Sequence, residues 1–182
     1  MYKNQKDAVS DLMGISKSKL KKVIAFGMEN DGLLSYGDRI FKISSSKAEF
    51  LIAKRLIGET FKNVVNIYSA NECDILGKHK KNVWKSYIIE QEKLKRVGKS
   101  FAFGDFELQT ACLDPMRRIP YFAGVLNGIA ELASIGITYY DLHPLNVMYD
   151  EEEQPKIIDF GYAALSRIKD NKKIKVSCSI ES

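Results

Sequence analysis

The chain has 182 residues, of which 45% are hydrophobic and 10% aromatic, so it can form one folded domain and is not a disordered segment. The formal net charge is +5, but the basic residues are scattered along the chain, and we expect no nucleic-acid partner. Three cysteines without Cys-x-x-Cys spacing favour neither a disulfide framework nor a zinc site, which is typical of a reducing compartment.

No apolar run is long enough to span a membrane, and the N-terminal segment lacks the apolar core of a signal peptide. We therefore expect a cytoplasmic protein without a membrane partner. The cytoplasm is that of its own cell, or that of a host if another secretion route delivers the protein. The sequence leaves the oligomeric state open.

The first half of the chain predicts one helix, followed by a small sheet that includes a second helix. Residues 5–20 carry apolar side chains at roughly helical spacing, although Gly14 interrupts them. The second helix begins after the serines at 44–46 and runs to about Gly58. Five short apolar segments are predicted strands, the first two joined by a turn at 28–31: 23–27, 32–35, 39–43, 64–68 and 83–89.

The second half predicts a mainly helical region that ends in a hairpin. The features expected in chain order are a linker at 97–105, a short helix at 106–113, an amphipathic helix at 120–135, a polar loop at 139–146 and hairpin strands at 147–149 and 156–158. Gly136 stops the amphipathic helix. Together the two halves predict an α+β fold with a five-stranded antiparallel sheet.

Three oxygen-bearing side chains are expected to meet at one end of the hairpin. Asp141 and Asn146 lie in the polar loop, and Asp159 follows the second hairpin strand. Because a hairpin returns to where it began, Asp159 comes back close to Asn146. Carboxylate and amide oxygens suit Mg²⁺, which completes its octahedron with water and phosphate.

These residues occur in two motifs that resemble those of the protein-kinase superfamily. The loop reads Y-Y-D-L-H-P-L-N over residues 139–146, and the hairpin ends in I-I-D-F-G over residues 157–161. The family's catalytic loop is H-R-D-L-x-x-x-N, and its metal-binding motif is D-F-G. The resemblance covers roughly residues 20–165.

The resemblance implies ATP and Mg²⁺ as cofactors. It makes Asp141 the catalytic residue, and it makes Asn146 and Asp159 the metal ligands. It also implies a two-lobe protein-kinase-like fold in which the sheet and one helix form the N-lobe.

The lobe boundaries follow from the same resemblance, which treats residues 1–182 as a single kinase-like domain. The N-lobe spans about 20–94, the hinge about 90–97 and a reduced, mainly helical C-lobe about 98–182. Few residues follow the D-F-G motif and no A-P-E motif is present, so we expect a truncated C-lobe. In this respect the chain resembles small kinase-like effectors of bacterial pathogens and kinase-like proteins of phage.

A kinase needs a strand lysine that holds the α- and β-phosphates and a helix glutamate that pairs with it. Lys42 lies in the apolar strand at 39–43, and Glu49 lies in the first turns of the following helix. Glu49 is therefore the expected partner of Lys42, and Glu59 is the alternative. A carboxylate at a helix N-terminus is also favoured by the helix dipole alone, which leaves a purely structural interpretation of Glu49 open.

The remaining nucleotide contacts are less sharply patterned. Gly27 and Gly32 would begin and end a phosphate-binding loop, or else a plain hairpin turn. Gln91 or Ile89 would be the gatekeeper residue beside the base. The segment from Glu92 to Leu94 would supply backbone hydrogen bonds to adenine.

The motifs also depart from the family pattern. Tyr139 and Tyr140 replace the His and Arg before the catalytic Asp, so we expect no activation by phosphorylation of an activation loop. His143 is either a structural hydrogen-bond donor or a contact to the transferred phosphate. D-L-H-P-x-N also resembles the loop of aminoglycoside and choline kinases.

The function expected from these motifs is a minimal Ser/Thr protein kinase that transfers the γ-phosphoryl group of Mg-ATP to a protein hydroxyl. An activating protein partner would order the site or bring the substrate. Two alternatives stay open: a pseudokinase that uses the fold to hold a partner, and a small-molecule kinase.

Overall fold

The computed structural model describes residues 1–23, 32–76, 83–95 and 115–166. Five strands form one antiparallel sheet in the order β1-β2-β3-β5-β4, which confirms the predicted α+β sheet. The strands are β1 Lys21–Val23, β2 Gly32–Tyr36, β3 Arg39–Ser44, β4 Ile67–Leu76 and β5 Val83–Glu92. The predicted turn at 28–31, linker at 97–105 and helix at 106–113 lie outside the described residues, as does the predicted strand at 23–27 apart from Val23, which ends β1.

Helix α1, Gln5–Met13, covers the outer face of this sheet. The side chain of Asn4 accepts a hydrogen bond from the Asp7 N–H and begins the helix. Gly14 ends it with a left-handed φ of 65°, so the helix is shorter than the predicted range of 5–20. Ala8 and Val9 are fully buried against the apolar outer face of the sheet.

Helix α2, Lys47–Leu56, packs on the opposite face of the sheet. Its buried side chains Phe50, Ile52 and Leu56 join Tyr87 and Ile89 of β5 in the main core. Rings of Phe50 and Tyr87 stack with centroids 4.6 Å apart. This packing sets the position of the first turn of α2 relative to β3.

The predicted strand at 64–68 is wrong at its start, because β4 begins only at Ile67. Val64 instead forms a parallel bridge with Ile157, and the Val65 N–H donates to the Ile157 carbonyl at 3.0 Å. The Ile157 N–H donates to the carbonyl of Asn63 at 2.9 Å. The backbone of this apolar segment is thus paired with the other half of the chain.

Helix α3, Pro115–Ser134, begins before the predicted start at residue 120 and contains Pro120. It ends next to Gly136, which has a φ of 77°. Gly124 and Gly128 allow α3 to pack closely: a Cβ at Gly128 would lie 2.5 Å from the Asn63 carbonyl oxygen. Within the described ranges, no helix has the length and apolarity needed to cross a bilayer.

Four short strands complete the structure. The predicted hairpin is confirmed as β7, Val147–Tyr149, paired with β8, Pro155–Ile157. Residues Ile137–Tyr139 form β6 and Ala163–Leu165 form β9, and the two are paired. The sequence predicts no strands here and places Tyr139 in a loop, because three residues are too few for strand periodicity to show.

Candidate active site

The ammonium group of Lys42 lies at the centre of the first group of predicted site residues. Strand β3 presents Lys42 on the face that α2 covers, where the residue is only 7% exposed. Its Nζ lies 2.5 Å from Oε1 of Glu49 and 2.8 Å from Oδ1 of Asp159. The structure therefore brings together Lys42, Glu49 and Asp159 from three separate elements.

These two carboxylates keep Lys42 charged. Burial by itself favours the neutral amine, but Glu49 and Asp159 outweigh it, and the pKa of Lys42 is raised above its usual value. The charge is therefore maintained although the Lys42 side chain is buried.

Glu49 is placed by the start of α2. The hydroxyl of Ser46 accepts a hydrogen bond from the Glu49 N–H at 3.2 Å, which fixes the first turn of the helix. The alternative partner, Glu59, lies beyond the other end of α2 and accepts a hydrogen bond from Arg55 at 3.0 Å. Of the two glutamates, the structure places Glu49 beside Lys42.

Asp159 adopts a backbone conformation that is uncommon for a residue with a side chain. Its φ is 60°, in the left-handed region, which costs about 1–2 kcal/mol for most L-residues. Its Oδ1 accepts hydrogen bonds from Lys42 and from the Gly161 N–H at 3.2 Å. These contacts offset the strain, and no hydrogen bond or ion pair with a described residue involves Oδ2 of Asp159.

A second group forms around Asp141 in the predicted catalytic loop. Nδ2 of Asn146 donates to both the carbonyl oxygen and Oδ2 of Asp141, each at 3.0 Å. Nε2 of His143 lies 3.6 Å from the same Oδ2, which makes an ion pair when the imidazole is protonated. A single 3₁₀ turn, Pro144–Asn146, brings these side chains together.

The two groups are joined through the residue before Asp159. The Ile158 N–H donates to the carbonyl of Asn146 at 2.9 Å, so the loop and the segment after β8 lie side by side. The hydroxyl of Tyr139 donates to the Ile158 carbonyl at 2.8 Å, and its ring packs edge-on against Phe160. Burial, with Asp159 and Asp141 nearby, raises the pKa of Tyr139.

The sequence showed Tyr139 only as a departure from the family pattern and did not predict this contact. The available signal was its position, two residues before Asp141, where the family motif has His, because His and Tyr side chains can both donate a hydrogen bond.

The predicted phosphate loop receives no support from the described residues. Gly27 lies outside them. Gly32 lies in β2 opposite Ile43, and a Cβ on it would approach Oε1 of Gln5 to 2.5 Å. This oxygen is the end of a flexible side chain that can shift, so the contact does not by itself require glycine at this position.

The predicted gatekeeper residues lie on β5. Ile89 is directly opposite Lys42, and Gln91 is opposite Ile40, so both side chains share the face of Lys42. The N–H of Glu92, the next residue, donates to the Asn66 carbonyl at 3.0 Å and is not available to a nucleotide. The Leu94 N–H has no hydrogen bond to another described residue.

The donor chemistry of the site fits a magnesium ion. In the part of the chain that the structure describes, no three His, Cys, Asp or Glu side chains form a metal cluster. Oδ2 of Asp159 and the carbonyl oxygen of the Asn146 side chain give a smaller set of oxygen donors. Magnesium is commonly bound through one or two carboxylates plus substrate phosphates, so this set is sufficient.

Comparison with known proteins identifies several similar kinases. Bovine rhodopsin kinase GRK7 is 30% identical over 139 residues, which cover 62% of this chain and 25% of that protein. CBL-interacting protein kinase 26 of Oryza sativa subsp. japonica is 35% identical over 83 residues, or 46% of this chain and 15% of that protein. Serine/threonine-protein kinase grp of Drosophila melanogaster is 39% identical over 54 residues, or 30% of this chain and 10% of that protein.

The chain thus spans a quarter or less of the length of these relatives. The family model of the protein kinase domain matches residues 39–179, which is well over half of the chain. The match includes both groups of site residues and the connection between them. The chain therefore belongs to the protein kinase domain family.

Proposed function

We propose that this chain binds Mg-ATP and transfers its γ-phosphoryl group to a hydroxyl of a protein substrate, as a Ser/Thr kinase. The observation that carries the proposal is the buried ammonium of Lys42 between Glu49 and Asp159. In the family, this lysine pairs with a helix glutamate and holds nucleotide phosphates. The fruit-fly relative is named as a serine/threonine-protein kinase, which supports the choice of serine and threonine as acceptors.

Residues 1–182 would form one kinase-like domain with an N-lobe at about 20–94, a hinge at about 90–97 and a reduced C-lobe at about 98–182. Bound Mg²⁺ would neutralise charge on the β- and γ-phosphates, and Asp159 and Asn146 would hold it. Lys42 would bind the α- and β-phosphate oxygens while Glu49 keeps its ammonium in place. Little covalent work is left to the protein, because phosphoryl transfer depends mainly on positioning and charge.

Asp141 orients the acceptor hydroxyl and takes its proton. The acceptor oxygen forms a bond to the γ-phosphorus while the bond from that phosphorus to the β–γ bridging oxygen breaks, and ADP leaves. The 3.0 Å hydrogen bond from Asn146 holds the Asp141 carboxylate, so this general base keeps its orientation toward the acceptor hydroxyl. A protonated His143 would contact the transferred phosphate from the same side.

The first prediction tests this role of Asp141. The Asp141→Asn substitution should lower turnover by about 10²–10⁴-fold, since general-base catalysis is lost. The affinity for Mg-ATP should change by less than about twofold, because Asp141 does not bind nucleotide. Mass spectrometry after incubation with Mg-ATP and a protein substrate measures phosphate gained, and calorimetry measures affinity.

Asp38→Asn is the matched control, because the Asp38 side chain is 89% exposed, and its turnover should equal that of the wild type. Full turnover by Asp141→Asn would exclude the mechanism. A wild-type chain that binds Mg-ATP but never transfers phosphate would favour the pseudokinase alternative.

A further inference from the structure

Lys156 is a buried cation that the proposed mechanism does not use. It lies in the middle of β8 and is only 5% exposed. Its Nζ lies 3.0 Å from Oε1 of Glu92, whose side chain is 15% exposed. Desolvating two charges is costly unless they are paired in good geometry, so this contact constrains where β8 and Glu92 lie.

Glu92 is fixed by a second element as well. Its Oε1 also accepts a hydrogen bond from the Asn66 N–H at 2.7 Å, while its own N–H donates to the Asn66 carbonyl at 3.0 Å. Glu92 ends β5 and begins the connector to the second half of the chain. The start of the connector is therefore held by β8 and by the residue before β4.

The rest of the connector is anchored on both sides of Leu94. The Lys93 N–H donates to the Asp38 carbonyl at 2.9 Å. Lys95 exchanges two backbone hydrogen bonds with Tyr149 of β7, at 2.7 and 2.8 Å. Between these anchors, the Leu94 N–H is the amide that bonds to no other described residue.

We propose that Lys156 is a positioning residue for the base of the nucleotide. By holding the Glu92 carboxylate, it fixes the connector so that the Glu92 carbonyl oxygen and the Leu94 N–H are presented to the base. The inference rests on the proposed function. Lys156 pairs with the connector and not with the group around Lys42, so it acts on base binding and not on phosphate binding.

The experiment compares two probes on the full chain. Mg-ATP carries a base, whereas Mg-tripolyphosphate offers only the phosphates. Calorimetry on Lys156→Met should show affinity for Mg-ATP reduced about tenfold, the effect of roughly one hydrogen bond, with affinity for Mg-tripolyphosphate unchanged. Lys156→Arg keeps the ion pair and should restore the Mg-ATP affinity to within about twofold of the wild type.

A second variant covers the case in which Lys156→Met does not fold because Glu92 is left buried without its partner. Lys156→Met combined with Glu92→Gln removes both charges and keeps an oxygen for the Asn66 N–H. Circular dichroism checks its fold. The double variant should show the same selective loss of Mg-ATP affinity.

Two outcomes would overturn the inference. Equal losses for both probes mean that Lys156 supports the whole site, and no loss for either means that the connector does not depend on it. Failure of the proposed function gives a different result, since a wild-type chain would then bind neither probe, and the inference would fall with it.

Discussion

Lys42, Glu49 and Asp159 together carry one positive and two negative formal charges. The excess negative charge lies on the side of Asp159, whose Oδ2 is not used by Lys42. A divalent cation at that oxygen would change the net charge of the group from −1 to +1, and the group would then attract the phosphates that Lys42 is proposed to bind. The residue-level chemistry thus favours joint binding of metal and nucleotide over binding of either one alone.

The ion pairs of Lys42 should also make stability depend on pH. The folded pKa of Lys42 is above its unfolded value, so its contribution is complete below the unfolded pKa of about 10.4. The contribution is lost as pH rises through the higher folded pKa. Lys42→Met should lower the free energy of unfolding by about 3–5 kcal/mol at neutral pH, because it leaves Glu49 unpaired.

Urea unfolding of both proteins at several alkaline pH values measures this dependence. The difference between wild type and Lys42→Met should stay constant to about pH 10 and shrink above it. Lys22→Met, at an exposed position of β1, controls for the general titration of lysines. A difference that grows with pH would contradict the raised pKa.

At the scale of elements, the packing of α2 determines where Glu49 lies in the site, because Glu49 is in the first turn of this helix. The helix begins where the Ser46 hydroxyl accepts a hydrogen bond from the Glu49 N–H, and its apolar face packs against the sheet. The serines at 44–46 and Gly58 predicted the approximate limits of this helix. Local signals of this kind act over a few residues and can be recognised in sequence.

Ser46→Ala should therefore destabilise the protein by about 1 kcal/mol, the usual value of an N-cap hydrogen bond. Chemical denaturation measures the change in free energy of unfolding. Ser16→Ala is the matched control, since Ser16 precedes the 3₁₀ turn Lys17–Lys19 and makes no capping bond there. Equal effects of the two substitutions would rule out a capping role for Ser46.

At the scale of the whole molecule, the residues between α2 and β4 join the sheet to the second half of the chain. The Glu131 carboxylate of α3 accepts the N–H groups of Lys62 and Asn63, both at 2.9 Å. The Asn63 side chain donates to the Pro155 carbonyl at 2.8 Å. These hydrogen bonds fix the position of β8, and therefore that of Asp159, relative to Lys42.

Gly128→Ala tests how closely α3 must approach the backbone of Asn63. On an exposed helix this change would stabilise by up to about 1 kcal/mol. Here the added Cβ would meet backbone at 2.5 Å, and we expect a net loss of about 1–3 kcal/mol by thermal or chemical denaturation. Asn127→Ala, on the exposed face of the same helix, should stay within about 0.5 kcal/mol, and a stabilised Gly128→Ala would disprove the close packing.

The sheet, α2 and the hairpin β7–β8 were predictable because each follows from local periodicity and turn residues. The pairing of the segment at 64–68 was not predictable. Its apolar residues are equally compatible with pairing to β5 and with pairing to β8. Gly32 shows the same difficulty. A glycine before a strand predicts a turn or a phosphate loop, and only the position of α1 reveals the contact with Gln5.

The sequence by itself determined the α+β class, the order of the strands and the helix that form the sheet region, and a set of site residues that remains a prediction until measured. Tertiary structure decided which glutamate lies beside Lys42, which contact Tyr139 makes and where Lys156 is paired. These are contacts between residues distant along the chain. They depend on how separate elements pack, and no local pattern of side chains specifies that packing.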